Sequence, residues 1–213
     1  MPTTYVGNLA PAFDLPCTRH PDPARSRARL SDYRGRWLVV VFYPRDFSMV
    51  CPTELVGLSQ RIADFEEHGC DLLAISSDPV DLHERWIVTP RAQGGLGGLN
   101  FPLASDVDGS VSSAYGVFDP ARNLALRGTF IVDPDGVIQY QVVHNLSVGR
   151  RSQEVLRVLS AIQSGGLCRE EWMADGAHID PYAMLTPGKI FSHYYLDSEI
   201  GAGTFARVYL ARD

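Results

Sequence analysis

The 213-residue sequence predicts an α/β domain in which helices flank a central mixed β-sheet. Three observations carry the expectation. Two near-continuous apolar runs, "WLVVVFY" and "DLLAISS", read as buried strands. Apolar residues recur at helical spacing between them, and strand, helix, strand is the order that gives parallel pairing. Farther on, "GTFIVDPDGVIQYQVVHN" reads as an antiparallel hairpin whose turn is supplied by Pro134, Asp135 and Gly136.

In chain order, residues 36–44 make the first strand, a β-branched and aromatic run closed by Pro44. A helix is expected from about Cys51, because Leu55, Leu58, Ile62 and Phe65 follow at spacings of 3, 4 and 3. Pro52 suits its first turn and Gly69 its C-terminal cap. Residues 71–77 are the second strand, and 79–92 carry a helix around Leu82 and Trp86, followed by the glycine-rich "GGLGGL". After the hairpin, Val155, Leu156, Leu159 and Ile162 mark a last amphipathic helix that ends at Gly165–Gly166. This order fits a thioredoxin-like core over residues 1–163. The composition then changes: 164–190 lack clear periodicity and read as a C-terminal arm, with a separate stretch over 191–213.

A net charge of −6 argues against a nucleic-acid-binding or anionic-membrane surface. The longest apolar run is far shorter than the ~20 residues that span a membrane. The N-terminal "MPTTYVGNLAPAF" lacks a basic segment followed by an apolar one, so no secretory signal is expected. Cys17, Cys51, Cys70 and Cys168 form no CxxC pair, and the six histidines fall at no metal-ligand spacing, so no metal site is expected. Lys189 is the only lysine among 19 basic residues, so an arginine near a site means little on composition alone.

Cys51 stands out by position. It lies at the expected mouth of a helix, where unpaired N–H groups and the helix dipole favour an anion, and a thiol reacts as its thiolate. Ser48, three residues before it, can point a hydroxyl back toward it, and Glu54, three residues after it, is placed to hold an arginine over the site. On the residues alone, a buried structural cysteine remains the alternative.

"FYPRDFSMVCPTEL" resembles the active-site signature of the typical 2-Cys peroxiredoxins, in the alkyl hydroperoxide reductase and thiol-specific antioxidant group. The similarity continues through "WIVTPRAQGGLGGLNFPLASD", "RGTFIVDPDGVIQY" and "VGRRSQEVLRVLSAIQ", over about residues 3–180. The resemblance implies a thiol-dependent peroxidase acting on hydrogen peroxide and alkyl hydroperoxides without metal or organic cofactor. It makes Cys51 the peroxidatic cysteine, with Pro44 shielding it and Ser48 in the place of the commoner threonine. Arg127 of "LRGTF" becomes the arginine that contacts thiolate and peroxide, and Glu54 the residue that orients it. Cys168 of "GLCREEW" matches the resolving cysteine by position, with Trp172 as the tryptophan that follows, although the usual context is Val-Cys-Pro. Since the resolver in this family comes from the other subunit, a homodimer is implied, with a ring of dimers as a further assembly. Thioredoxin or another dithiol protein would be the reductant, in the cytoplasm. "GGLG" at 94–97 resembles the family loop linked to hyperoxidation sensitivity, but its Tyr-Phe companion is not found after Trp172.

"YLDSEIGAGTFARVYLARD" resembles the first two strands and glycine-rich loop of a protein kinase, with Gly201, Gly203, Phe205 and Val208 in the matching places and Ala206 at the third glycine. Neither a lysine strand nor a catalytic loop follows it, and Lys189 precedes it, so this stub is expected to be incomplete. Two rival readings therefore stand beside the peroxidase. One is a non-enzymatic holdase or scaffold; the other is a redox-sensing module attached to a truncated kinase.

Overall fold

The structure, a computed structural model, describes residues 5–19, 21–180, 190–191, 194–202 and 207–212. It divides into two compact units, Met1–Leu159 and Ser160–Asp213.

In the first unit, β1 (Asp14–Pro16) and β2 (Arg27–Arg29) form a small antiparallel pair. Then come β3 (Trp37–Phe42), α1 (Cys51–Ser59), α2 (Ile62–Glu67), β4 (Cys70–Ser76), α3 (Val80–Val88) and β5 (Leu103–Ser105). After these stand α4 (Ser110–Ala114), a short β6–β7 pair (Phe118–Asp119 and Leu124–Ala125), β8 (Arg127–Val132) and β9 (Ile138–His144). The last helix, α5 (Ser152–Ser164), runs across the boundary between the units. The main sheet has the order β5-β4-β3-β8-β9, with β4 parallel and β8 antiparallel to the central β3. This is the expected thioredoxin-like mixed sheet.

The apolar runs are continuous because both faces of these strands are buried. Leu38, Val40 and Phe42 point into one core with Leu73, Ile75, Tyr115 and Phe130, while Val39 and Val41 point to the opposite face. Phe42, Tyr115 and Phe130 pack ring against ring, with centroids 5.0 to 5.8 Å apart.

Two helices differ from expectation. The one helix expected from Cys51 to His68 is broken into α1 and α2. Asn100, from the loop before β5, donates its side-chain amide to the Ser59 carbonyl at 3.2 Å and its own N–H to Ser59 Oγ at 2.9 Å. That carbonyl is thereby engaged outside the helix, and Arg61 N–H turns back to Leu58 O in a tighter turn. The helix expected over 79–92 stops at Val88, because Thr89 precedes Pro90 and is driven into the extended conformation.

In the second unit, β10 (Ile190–Phe191), β11 (Tyr194–Ala202) and β12 (Arg207–Arg212) form an antiparallel sheet in that order. The sequence led to two strands here rather than three. The tip of the kinase-like loop, residues 203–206, and Lys189 lie outside the described residues. Among the described residues no helix is long and apolar enough to cross a membrane.

Candidate active site

The loop between β3 and α1, residues 43–50, delivers a cysteine to the first position of a helix. A buried network pins the loop. Tyr43 donates its hydroxyl to Asp46 Oδ1 at 2.8 Å, His83 Nδ1 on α3 lies 2.7 Å from Asp46 Oδ2, and Asp46 N–H donates to Asp78 Oδ2 at 2.7 Å. Burial pushes the Asp78 carboxyl above the ordinary carboxylate range and the Tyr43 phenol well above its own. Phe47 packs on Trp86 with a left-handed backbone (φ 52°), an unusual state for an aromatic residue that the anchors on either side hold in place. Pro44, in the same loop, is buried.

Cys51 then opens α1 and is wholly buried. Its backbone N–H donates to Ser48 Oγ at a long 3.4 Å, so the Ser48 hydroxyl serves the main chain at the helix start rather than the thiol. Arg127 is the first residue of β8, where that antiparallel strand passes the C-terminal end of β3. Its NH1 donates to Cys51 Sγ at 3.2 Å and to Glu54 Oε2 at 2.6 Å, and its Nε donates to Leu146 O at 2.7 Å. Glu54, one turn along α1 from Cys51, accepts from a second guanidinium as well. Arg150 reaches Glu54 Oε1 through both its backbone N–H and its Nε, each at 2.8 Å. The NH1 of Arg150 donates to the carbonyls of Phe42 at 2.9 Å and Gly128 at 2.6 Å, joining β3 to β8 behind the site.

The side chains of Glu54, Arg127 and Arg150 are 2%, 3% and 6% exposed, so their charges act on one another with little screening. Two guanidinium cations face one carboxylate, which leaves one positive charge in excess. An anion on Cys51 Sγ balances it, with the N-terminus of α1 adding to the same field. The arrangement suits a sulfur nucleophile and a substrate whose departing oxygen takes on negative charge.

Glu54 holds two buried cations apart, so Glu54→Ala is expected to cost about 3–5 kcal/mol of stability, or a melting midpoint lower by about 10 °C. Calorimetry checks this. A loss below about 1 kcal/mol would mean that the carboxylate does not hold the pair.

The structure thus brings Cys51, Arg127 and Glu54 into direct contact and puts Ser48 and Pro44 in the adjoining loop. Cys168 lies in the second unit and is half-buried. The other two thiols are core residues. Burial raises the Cys17 thiol and pushes the Cys70 thiol up to about 12, so neither presents a thiolate near neutral pH. Among the described residues no cluster of His, Cys, Asp or Glu is arranged to hold a metal ion. Arg150 and the Tyr43–Asp46–His83 network escaped the sequence reading. Arg150 stands in "VGRRSQ", but 96 residues separate it from Glu54 and only the fold joins them.

Comparison with known proteins bears on the family and the fold. The AhpC/TSA family model matches residues 6–141. A putative peroxiredoxin in the rubredoxin operon of Clostridium pasteurianum is 46% identical over 167 residues, which is 78% of this chain and 94% of the relative. Peroxiredoxin-2 of Mus musculus is 42% identical over 180 residues, covering 83% and 90%. Among solved structures, the reduced 2-Cys peroxiredoxin of Plasmodium vivax superposes with a TM-score of 0.79 at 33% identity, covering 84% of this chain and 94% of that one. Mycobacterium bovis AhpC superposes with a TM-score of 0.70 at 35% identity, covering 81% and 99%.

Proposed function

The chain belongs to the AhpC/TSA family of peroxiredoxins and is a thiol-dependent peroxidase, and from that premise we propose how its residues divide the work. The Cys51 thiolate attacks the terminal oxygen of hydrogen peroxide or an alkyl hydroperoxide. The O–O bond breaks, the remaining oxygen leaves as water or alcohol, and Cys51 becomes a sulfenic acid. Arg127 faces the sulfur and the developing oxygen charge, Glu54 and Arg150 hold Arg127 in place, and Ser48 steadies the first turn of α1. Pro44, in the loop before α1, limits solvent access. The observation that carries this reading is the 3.2 Å contact from Arg127 NH1 to Cys51 Sγ at a helix start with surplus positive charge.

Cys168 of a second subunit then condenses with the sulfenic acid. Because Cys51 is wholly buried, that step requires the first turn of α1 to open. Thioredoxin or another dithiol protein reduces the resulting disulfide and closes the cycle. The working unit in this reading is a homodimer, assembling further into a ring of dimers. The reading places this cycle in the cytoplasm, where dithiol reductants keep such disulfides transient.

Peroxide-treated protein is expected to run as a covalent dimer on non-reducing gels, and Cys168→Ser to eliminate that band. If the dimer persists without Cys168 but vanishes when Cys17 or Cys70 is changed, the resolver is another residue.

A further inference from the structure

The end of α5 and the arm after it hold an arrangement that the scheme above does not use. We infer that Ser164 and His178 form a hydrogen-bonded relay that takes the proton from the Cys168 thiol as it condenses with the oxidised cysteine. This rests on Cys168 being the resolving residue.

Ser164 is the last residue of α5, and Gly165, with φ 66°, turns the chain back so that Cys168 returns to the helix end. Cys168 Sγ lies 3.5 Å from Ser164 Oγ, within reach of a weak sulfur hydrogen bond, and near the carbonyls of Gly166 at 3.5 Å and Ala161 at 3.7 Å. Ser164 Oγ is 2.9 Å from His178 Nε2 and 2.7 Å from Ala161 O, and it accepts a long bond from Gly166 N–H at 3.4 Å.

The imidazole is held from several directions. The buried ring of Trp172 stacks on it at 5.6 Å between centroids and 14° between planes, and Trp172 is itself fixed by donating to Gly176 O at 2.9 Å. Ile179 N–H donates to Leu167 O at 2.7 Å, tying the histidine segment to the cysteine segment. The ring lies so close over Gly166 that a Cβ there would come within 2.3 Å of its Cδ2. An exposed histidine kept in one orientation, one hydroxyl away from a half-buried thiol, is suited to moving a proton between that thiol and solvent.

The transfer needs one rotation. With the Ser164 hydroxyl turned from Ala161 O toward Nε2, it donates to the imidazole and accepts from the Cys168 S–H. The proton passes from sulfur to oxygen as the serine proton passes to nitrogen. The Cys168 sulfur lone pair then forms the S–S bond, the S–O bond of the sulfenic acid breaks, and the leaving hydroxide gains a proton to become water. The imidazolium returns its proton to solvent. One thiol and one sulfenic acid give one disulfide and one water, with no added oxidant or reductant.

The test uses the full chain, reduced and mixed with equimolar hydrogen peroxide, with Cys51 oxidation and disulfide formation followed as separate phases. His178→Gln keeps a hydrogen-bonding amide over Ser164 but cannot accept the proton. It and Ser164→Ala are expected to slow disulfide formation about tenfold or more while leaving the oxidation phase unchanged. Gly166→Ala, which displaces the ring, should slow it similarly. Measured across pH, the rate of disulfide formation should follow a different profile in His178→Gln than in the wild type, because only the wild type carries the imidazole. The other ionisable groups of this segment, the half-buried Cys168 thiol and the exposed Arg169, Glu170, Glu171, Asp175 and Asp180, are shared by both proteins, so they cancel in the comparison. A His178→Gln protein with the wild-type rate and pH profile would overturn the relay. If Cys168→Ser still forms the disulfide, the resolver assignment fails instead.

Discussion

Cys51→Ser is expected to abolish peroxide reduction, leaving no more than about 1% of turnover, while the protein stays folded. A serine hydroxyl ionises only far above neutral pH, so it offers no anion to attack an O–O bond, and the positive field around it has nothing to act on. The fold should persist because the substitution is nearly isosteric in a wholly buried position, and an oxygen still accepts the bond from Arg127 NH1. Turnover with a dithiol reductant, measured beside circular dichroism, checks both halves of the expectation. Cys17 and Cys70 cannot take over, because both are buried and held in the protonated form. Residual turnover above a few per cent in a folded variant would move the nucleophile elsewhere.

Arg127→Ala should slow the reaction with peroxide by about 10²–10³-fold, since it removes the donor aimed at the sulfur and at the oxygen that gains charge. It also changes the charge balance. With Arg127 gone, Glu54 and Arg150 cancel each other, and a thiolate at Cys51 becomes an uncompensated buried anion. Arg127→Lys should recover only part of the loss. The native guanidinium holds Cys51 Sγ, Glu54 and the Leu146 carbonyl from two nitrogens in a fixed fork, which a single ammonium cannot reproduce. Stopped-flow rates for peroxide reduction separate the cases. An alanine variant within about threefold of wild type would show that the 3.2 Å contact is not part of the reaction.

What the sequence disclosed follows from how local the signals are. The central strands β3, β4 and β8 announce themselves as apolar runs because both of their faces are buried, while the half-buried edge strand β9 is marked by the turn that joins it to β8. The three-residue strands β1, β2 and β5 are too short to carry a period, and they exist only because partner strands hold them. The break between α1 and α2 is equally invisible, since Asn100 makes it from 41 residues away. At the site, Cys51, Ser48 and Glu54 share one turn and its lead-in, so their neighbourhood is written in the sequence. Arg127 stands out by resemblance alone, because in a chain with so many arginines no local feature distinguishes it. Arg150 lies in a stretch that shares the resemblance but nothing local ties it to Glu54, and the Ser164–His178 pairing arises from a chain reversal at Gly165 that no helical or strand period encodes.

The central claim is that peroxide oxidises the sulfur of Cys51 and no other. Trapping the first oxidation product tests it most directly. Reduced Cys168→Ser protein, which cannot consume a sulfenic acid by resolution, is mixed with equimolar hydrogen peroxide and dimedone, then digested and analysed by mass spectrometry. The account predicts a single dimedone adduct, on the peptide that contains Cys51. An adduct on the Cys17 or Cys70 peptide, or peroxide consumed with Cys51 left unmodified, would contradict it.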